Sequence, residues 1–125
     1  MSEPIRIVSK DALEGGPPTA GMARKTAIAG EDVWMGEVRT DPGAMSGWHH
    51  HGEHTTYGYV VDGKVRVEFG PNGNESLEGG PGDFFMVPPH TVHREGNPGS
   101  EEHVLVALRM GTGPSVINVD GPDAE

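Results

Sequence analysis

Between Val33 and Met110, every apolar run in this chain is short and is closed by glycine or proline. The punctuation is specific: Asp41-Pro42-Gly43, Asp62-Gly63, Pro71-Asn72-Gly73-Asn74 and Pro81-Gly82-Asp83 are all turn sequences. Glycine supplies the positive φ of tight turns, and proline fixes φ and cannot continue a helix. The runs between the turns alternate. Val65, Val67 and Phe69 fall on one face of an extended segment, and Lys64, Arg66 and Glu68 fall on the other. This is the two-residue period of a half-buried strand. Strands are predicted over 33–39, 47–51, 55–61, 64–69, 84–87, 91–94 and 103–110. Asp62-Gly63 between two such runs predicts a tight hairpin. No segment carries a helical stripe, so the fold class is all-β, a sandwich or a barrel.

At 125 residues the chain is sized for one domain with one core. Residues 1–25 read as an N-terminal arm, because Gly15-Gly16-Pro17-Pro18 fits no regular element, with one short strand expected at 5–8. Residues 26–110 form the barrel. The tail, 111–125, has one apolar run, Val116-Ile117-Asn118-Val119, free to pair with another strand or with a partner subunit. A net charge of −10 repels polyanions and argues against nucleic acid as a partner. No apolar stretch is long enough to span a bilayer, and Met1-Ser2-Glu3-Pro4-Ile5-Arg6 lacks a signal-peptide core. The expected location is cytoplasmic, with which the absence of cysteine is compatible.

Chemistry concentrates in Trp48-His49-His50-His51-Gly52-Glu53-His54, four histidines in seven residues. Such a cluster opening a strand is the pattern of a nitrogen-ligand metal site. Residues i and i+2 of a strand share a face, roughly 6.5–7 Å apart. His49 and His51 can therefore converge on one ion, while His50 faces away. Taken alone, an internal histidine tract is as well explained by solvated surface. A second segment, Pro88-Pro89-His90-Thr91-Val92-His93, adds a further histidine that becomes a ligand if the two segments meet.

These two segments resemble the two motifs of the cupins. In the first, Gly43 is followed after five residues by His49-His50-His51, and Gly63 closes the motif. In the second, Gly82, Pro88, His93 and Asn97 fit, with His90 where glycine is usual. The resemblance spans about 33–110 and implies a single-domain double-stranded β-helix, a jelly-roll barrel. It also implies that His49, His51 and His93 hold a metal ion. The usual glutamate ligand falls at Thr56, so the resemblance implies a three-histidine set without a carboxylate. Glu53 or His54 can supply a fourth ligand, and His54, which shares parity with Thr56, is preferred. Imidazole ligands suit a divalent transition metal such as Fe, Zn, Mn or Ni. In ligand type the set is similar to the three-histidine iron sites of thiol and diketone-cleaving dioxygenases.

Other residues are read more plainly. His103, at the start of an apolar strand, and Tyr57 are the candidates for acid–base work, although a surface histidine at a strand end is the commoner case. If Thr56 faces inward, Tyr57, Tyr59 and Val61 face outward, and that apolar face needs cover from the arm or from a second copy in a homodimer. Met35, Met45 and Met86 are expected to fill core gaps. Trp48 either walls the pocket or packs beside it, and Glu37 and Arg39 read as an exposed pair. No Ser-His-Asp set or phosphate-binding glycine loop is present. The leading expectation is a metalloenzyme acting on a small organic molecule, dioxygenase-like. The alternatives are a redox-free isomerase, lyase or decarboxylase, and a non-catalytic module that binds a sugar or small acid.

Overall fold

In the computed structural model, which describes residues 4–16 and 19–122, the alternating runs are antiparallel strands in two sheets. In chain order they are β1 (Glu14–Gly15), β2 (Met22–Ala29), β3 (Val33–Thr40), β4 (His49–His50), β5 (Thr55–Asp62), β6 (Val65–Phe69), β7 (Glu75–Gly79), β8 (Phe84–Val87), β9 (His93–Gly96), β10 (His103–Met110) and β11 (Ile117–Asn118). The first sheet has the order β1-β2-β3-β10-β5-β8 and the second β11-β4-β9-β6-β7. The all-β expectation holds, with two short 3-10 turns at Lys10–Ala12 and Pro71–Gly73. No helix among the described residues is long and apolar enough to cross a membrane.

Several local expectations change. Asp62-Gly63 does not close a hairpin: β5 lies in the first sheet and β6 in the second. Val60 and Val65, on either side of this turn, both enter the core cluster with Leu105, so burial makes the chain cross between sheets. Gly63 has φ +77°, and a Cβ there would meet His103, so the crossing needs glycine. The edge strand β7 was not anticipated, because Glu75-Ser76-Leu77-Glu78 is almost wholly exposed and carries little apolar alternation. Residues 5–8 form no strand, and β2 begins at Met22, inside the segment read as arm. Pro17 and Pro18 lie outside the described residues, as do Met1–Glu3 and residues 123–125. The tail run pairs with β4 through Ile117↔His50 and Asn118↔His49.

The interior is divided. Val60, Val65 and Leu105, backed by Val38, Val67 and Phe85, form the apolar part. Burying Val60, Val65 and Leu105 is worth about 1.5–3 kcal/mol each. Gly58 faces the same space, and a Cβ there would run into the Phe85 ring, so the ring occupies the room a side chain would take. The largest fully buried side chains, however, include His51, His93, His103, Asn97 and Thr40. Buried polar groups cost stability unless paired. Asn97 is fully paired: its amide donates to Thr40 O (3.0 Å) and Glu101 O (2.7 Å) and accepts from Gly99 N (2.9 Å). It ties the loop after β9 to the end of β3. Asn97→Ala is expected to lower unfolding free energy by about 2–4 kcal/mol, since the buried Thr40 carbonyl and the partly buried Glu101 carbonyl lose their donor. Urea denaturation measures this, and a change within about 0.5 kcal/mol, the range of neutral surface substitutions, would contradict the role.

Candidate metal centre

Strand pairing brings the two histidine segments together. β4 pairs β9 with His49 opposite His93. The tail strand β11 holds β4 from its other side. Within β9, His93 and Glu95 are two residues apart and share the inward face. One ligand atom each from His49, His51, His93 and Glu95 lies within 4.8 Å of the others. The ring centroids of the three histidines are 4.5–5.0 Å apart.

Hydrogen bonds fix which nitrogen of each ring faces the group. His49 Nδ1 lies 2.8 Å from Gly47 O, His51 Nδ1 2.7 Å from Ser115 O, and His93 Nδ1 2.8 Å from Thr91 O. A carbonyl only accepts, so each Nδ1 carries a proton, and in the neutral ring the lone pair lies on Nε2. His93 Nε2 is buried with no partner. Burial, and then the neighbouring Arg109 charge, pushes His51 down to about 3. Burial likewise lowers His49. These imidazoles are thus neutral at pH 7, the state a metal ligand needs. Burial raises the Glu95 carboxyl, but the three histidines and Arg109 outweigh it and hold the group below the usual carboxylate range. Glu95 Oε1 is 4.0 Å from His49 Nε2. Three lone pairs and one carboxylate, converging without another partner for His93 Nε2, fit a divalent transition ion.

The carboxylate-free set expected at this site is therefore corrected. Thr56 does face the barrel, but Glu95 on β9 supplies the carboxylate from the opposite sheet. Its signal was present as His93-x-Glu95, the same i, i+2 spacing that paired His49 with His51. His54 is buried but lies outside the group, because the turn from His51 folds its ring back so that Nδ1 sits 3.1 Å from His51 O. Glu53 points to the surface, 2.9 Å from His90 Nε2. His90 has φ +56°, so the unusual residue sits in the backbone conformation that favours glycine. His50 faces away, as its parity requires, and its Nδ1 accepts from Gly52 N.

His103 is not a surface residue. It is 1% exposed, with Nδ1 donating to Lys64 O at 2.6 Å and Nε2 buried and unpartnered. Together with Thr40, Thr56, Glu95 and Arg109 it lines a small cavity of about 30 Å³, beside the metal group. A larger cavity of about 480 Å³, walled by Val60, Val67, Phe69, Phe85 and Val87, reaches His93 from the other side. Arg109 stands opposite Trp34 and Thr56 on the inner face and was missed in sequence, since one arginine at the end of an apolar strand carries no signal. Tyr57 lies on the outer face, 46% exposed, so parity removes it from the site. Trp48 also faces outward, under the Arg94 guanidinium and against Gly73. Met35, Met45 and Met86 are exposed rather than core fillers, since their strand positions face out or to the rim. Glu37 and Arg39 form the expected surface pair, joined by Glu102.

Comparison with known proteins agrees with this arrangement. The family model described as a cupin domain matches residues 36–109. A germin-like protein, subfamily T member 3, of Arabidopsis thaliana is 35% identical over 90 residues, 70% of this chain. The chain spans 39% of that relative's length. Among solved structures, KdgF from Halomonas sp. is 28% identical with a TM-score of 0.69, over 84% of this chain and 94% of that one. An uncharacterised protein of Klebsiella pneumoniae with a double-stranded β-helix domain is 20% identical with a TM-score of 0.74, over 94% and 99% of the two chains. A Bacillus subtilis oxalate decarboxylase with Mn(II) centres is 22% identical with a TM-score of 0.69, over 82% of this chain and 29% of that one. The four converging residues all fall within the matched segment, and the two facing sheets are those of a double-stranded β-helix: the chain belongs to the cupin family.

Proposed function

We propose that the protein is a metal-dependent enzyme that acts on a small organic acid by redox-free chemistry, as an isomerase, lyase or decarboxylase. The observation that carries this reading is the convergence of His49, His51 and His93 with Glu95, where His93 borders the large apolar cavity and Glu95 the small one that His103 and Arg109 also line. Such a set would hold Fe, Zn, Mn or Ni, and a bound ion of this kind supplies Lewis acidity to a substrate oxygen. A divalent ion held against the one carboxylate of Glu95 would leave the site with net positive charge. Arg109 adds a fixed cation on the barrel wall, so the interior favours an anionic substrate head. The 480 Å³ cavity suits a compact apolar body attached to that head. His103, held through Nδ1 by Lys64 O, keeps an unpartnered Nε2 beside the small cavity and is positioned to accept a proton there.

A dioxygenase is the second reading. A redox-active ion such as Fe, held by His49, His51, His93 and Glu95, would supply dioxygen chemistry at this site. Its first support, a carboxylate-free site, is lost with Glu95, which is why it ranks below redox-free catalysis. The expected absence of a nucleic-acid partner rests on the charge of −10, and a cytoplasmic location is part of the same proposal.

Elemental analysis of protein purified without a nickel column is expected to show about one transition metal per chain. His51→Ala and His93→Ala should each lose it, and His50→Ala should retain it. Full metal content in both ligand variants would overturn the site. Turnover of a panel of small organic acids is expected to be equal with and without dioxygen; turnover that stops under anaerobiosis would favour the dioxygenase. Bound acid without turnover would leave only a binding module. His103→Gln should keep its metal yet lose about 10²–10⁴-fold in kcat with little change in KM, as for removal of a proton acceptor. An unchanged kcat would remove His103 from the chemistry.

A further inference from the structure

The large and small cavities share the barrel, and two side chains from opposite sheets stand between them. Val65 on β6 and Phe85 on β8 line both. The strands that cross this wall divide accordingly. On β5, Val60 lines the large cavity and Thr56 the small one; on β9, His93 lines the large and Glu95 the small. Gly58 lies midway between Thr56 and Val60, opposite Phe85 in the strand register. A Cβ at Gly58 would first meet Cζ, Cε1 and Cε2 of Phe85, so the ring stands over the glycine and fills the gap between the chambers. The candidate metal group straddles the same wall, with His93 on one side and Glu95 on the other.

The two chambers differ in chemistry. Among the described residues, five buried side-chain atoms lack a hydrogen-bond partner. Four of them, Thr40 Oγ1, Thr56 Oγ1, His103 Nε2 and Arg109 Nε, belong to residues that line the small chamber. Its volume of about 30 Å³ has room for roughly one or two waters, which can donate to His103 Nε2 and accept from Arg109. The large chamber is the reverse. Apart from His93, its polar side chains are already engaged: Glu78 with Arg66, Asp83 with Gly80 N, and the Thr91 hydroxyl with Pro89 O. A hydroxylated body would exchange water for a wall of valine and phenylalanine, whereas an apolar body gains by the transfer.

We propose that Phe85 is the specificity-determining residue of the barrel, selecting acids that carry one apolar group, not two, on the carbon next to the carboxylate. With the acid head at the metal group, that carbon lies at the wall, beside the Phe85 ring. One substituent extends into the large chamber. A second is turned toward the small chamber, where the ring blocks it. The head's position rests on the proposed metal chemistry; the wall does not.

Phenylacetate and diphenylacetate share a head and differ by one ring, and calorimetric titration reads their affinities. The unmodified protein is expected to bind phenylacetate at least tenfold more tightly, although the second ring adds apolar area. In Phe85→Ala the lost ring leaves room for the second one, and the preference should shrink at least tenfold or invert. Phe85→Leu, which keeps more of the core, should move the ratio the same way by less. Gly58→Ala should lower Tm by at least about 5 °C in the unmodified protein, and by much less in Phe85→Ala, where no ring obstructs the new Cβ. Benzyl alcohol and diphenylmethanol repeat the comparison without a charge. A Phe85-dependent ratio for the alcohols alone would remove the acid head and keep the wall. Ratios unchanged within twofold in both Phe85 variants would overturn the proposal. So would a failure of all four probes to bind, or equal Tm losses for Gly58→Ala in the two backgrounds.

Discussion

The antiparallel pairing of β4 with β9 is the contact on which the site depends. It is short: His49 opposite His93 is its single register position. Two neighbours make it firm. β11 pairs β4 from the outside, and β6 pairs β9 over four residues on the inside. The second sheet thus places His49, His51 and His93 on one inner surface without any long strand at β4. The C-terminal tail takes part twice, since it pairs with β4 and lends Ser115 O to orient the His51 ring.

The electrostatics follow from that placement. Each histidine gives its one proton to a backbone carbonyl, so no lone pair is spent on the protein. Burial then keeps His49 and His51 neutral, and the surroundings keep Glu95 ionised. The resulting set carries the single negative charge of Glu95, and Arg109 stands across the barrel from it. Polar residues occupy much of the interior that an all-β domain of this size would otherwise fill with valine and leucine. That arrangement sacrifices core burial, and it leaves His93 Nε2 and His103 Nε2 buried without a hydrogen-bond partner.

Much of the fold was legible because strand parity and turn chemistry are local. Gly43, Gly63 and Gly82, each at positive φ, sit where the turn signals put them, and 84–87 and 103–110 match their strands to the residue. His49, His51 and His93 were legible as a group through parity and the two motifs. What failed was non-local. Asp62-Gly63 looks like a hairpin in sequence, and only the burial of Val60 and Val65 in one cluster shows that it joins two sheets. Glu95 was hidden because its meaning depends on β9 facing β4, and attention to the missing carboxylate at Thr56 looked along the wrong strand. His54 failed for a local reason, a tight turn that folds it onto His51 O. His103 looked superficial because a strand end is usually exposed, whereas here the chain beyond Gly63 covers it.

The proposed function requires His49, His51, His93 and Glu95 to surround a single ion. Crystals of metal-loaded protein, with diffraction recorded on both sides of the metal's absorption edge, test it most directly. The account predicts one strong anomalous peak about 2.0–2.2 Å from Nε2 of the three histidines and from a Glu95 oxygen. A peak at the surface group of His90 and Glu53, or a fully occupied ion that leaves His93 or Glu95 uncoordinated, would contradict it.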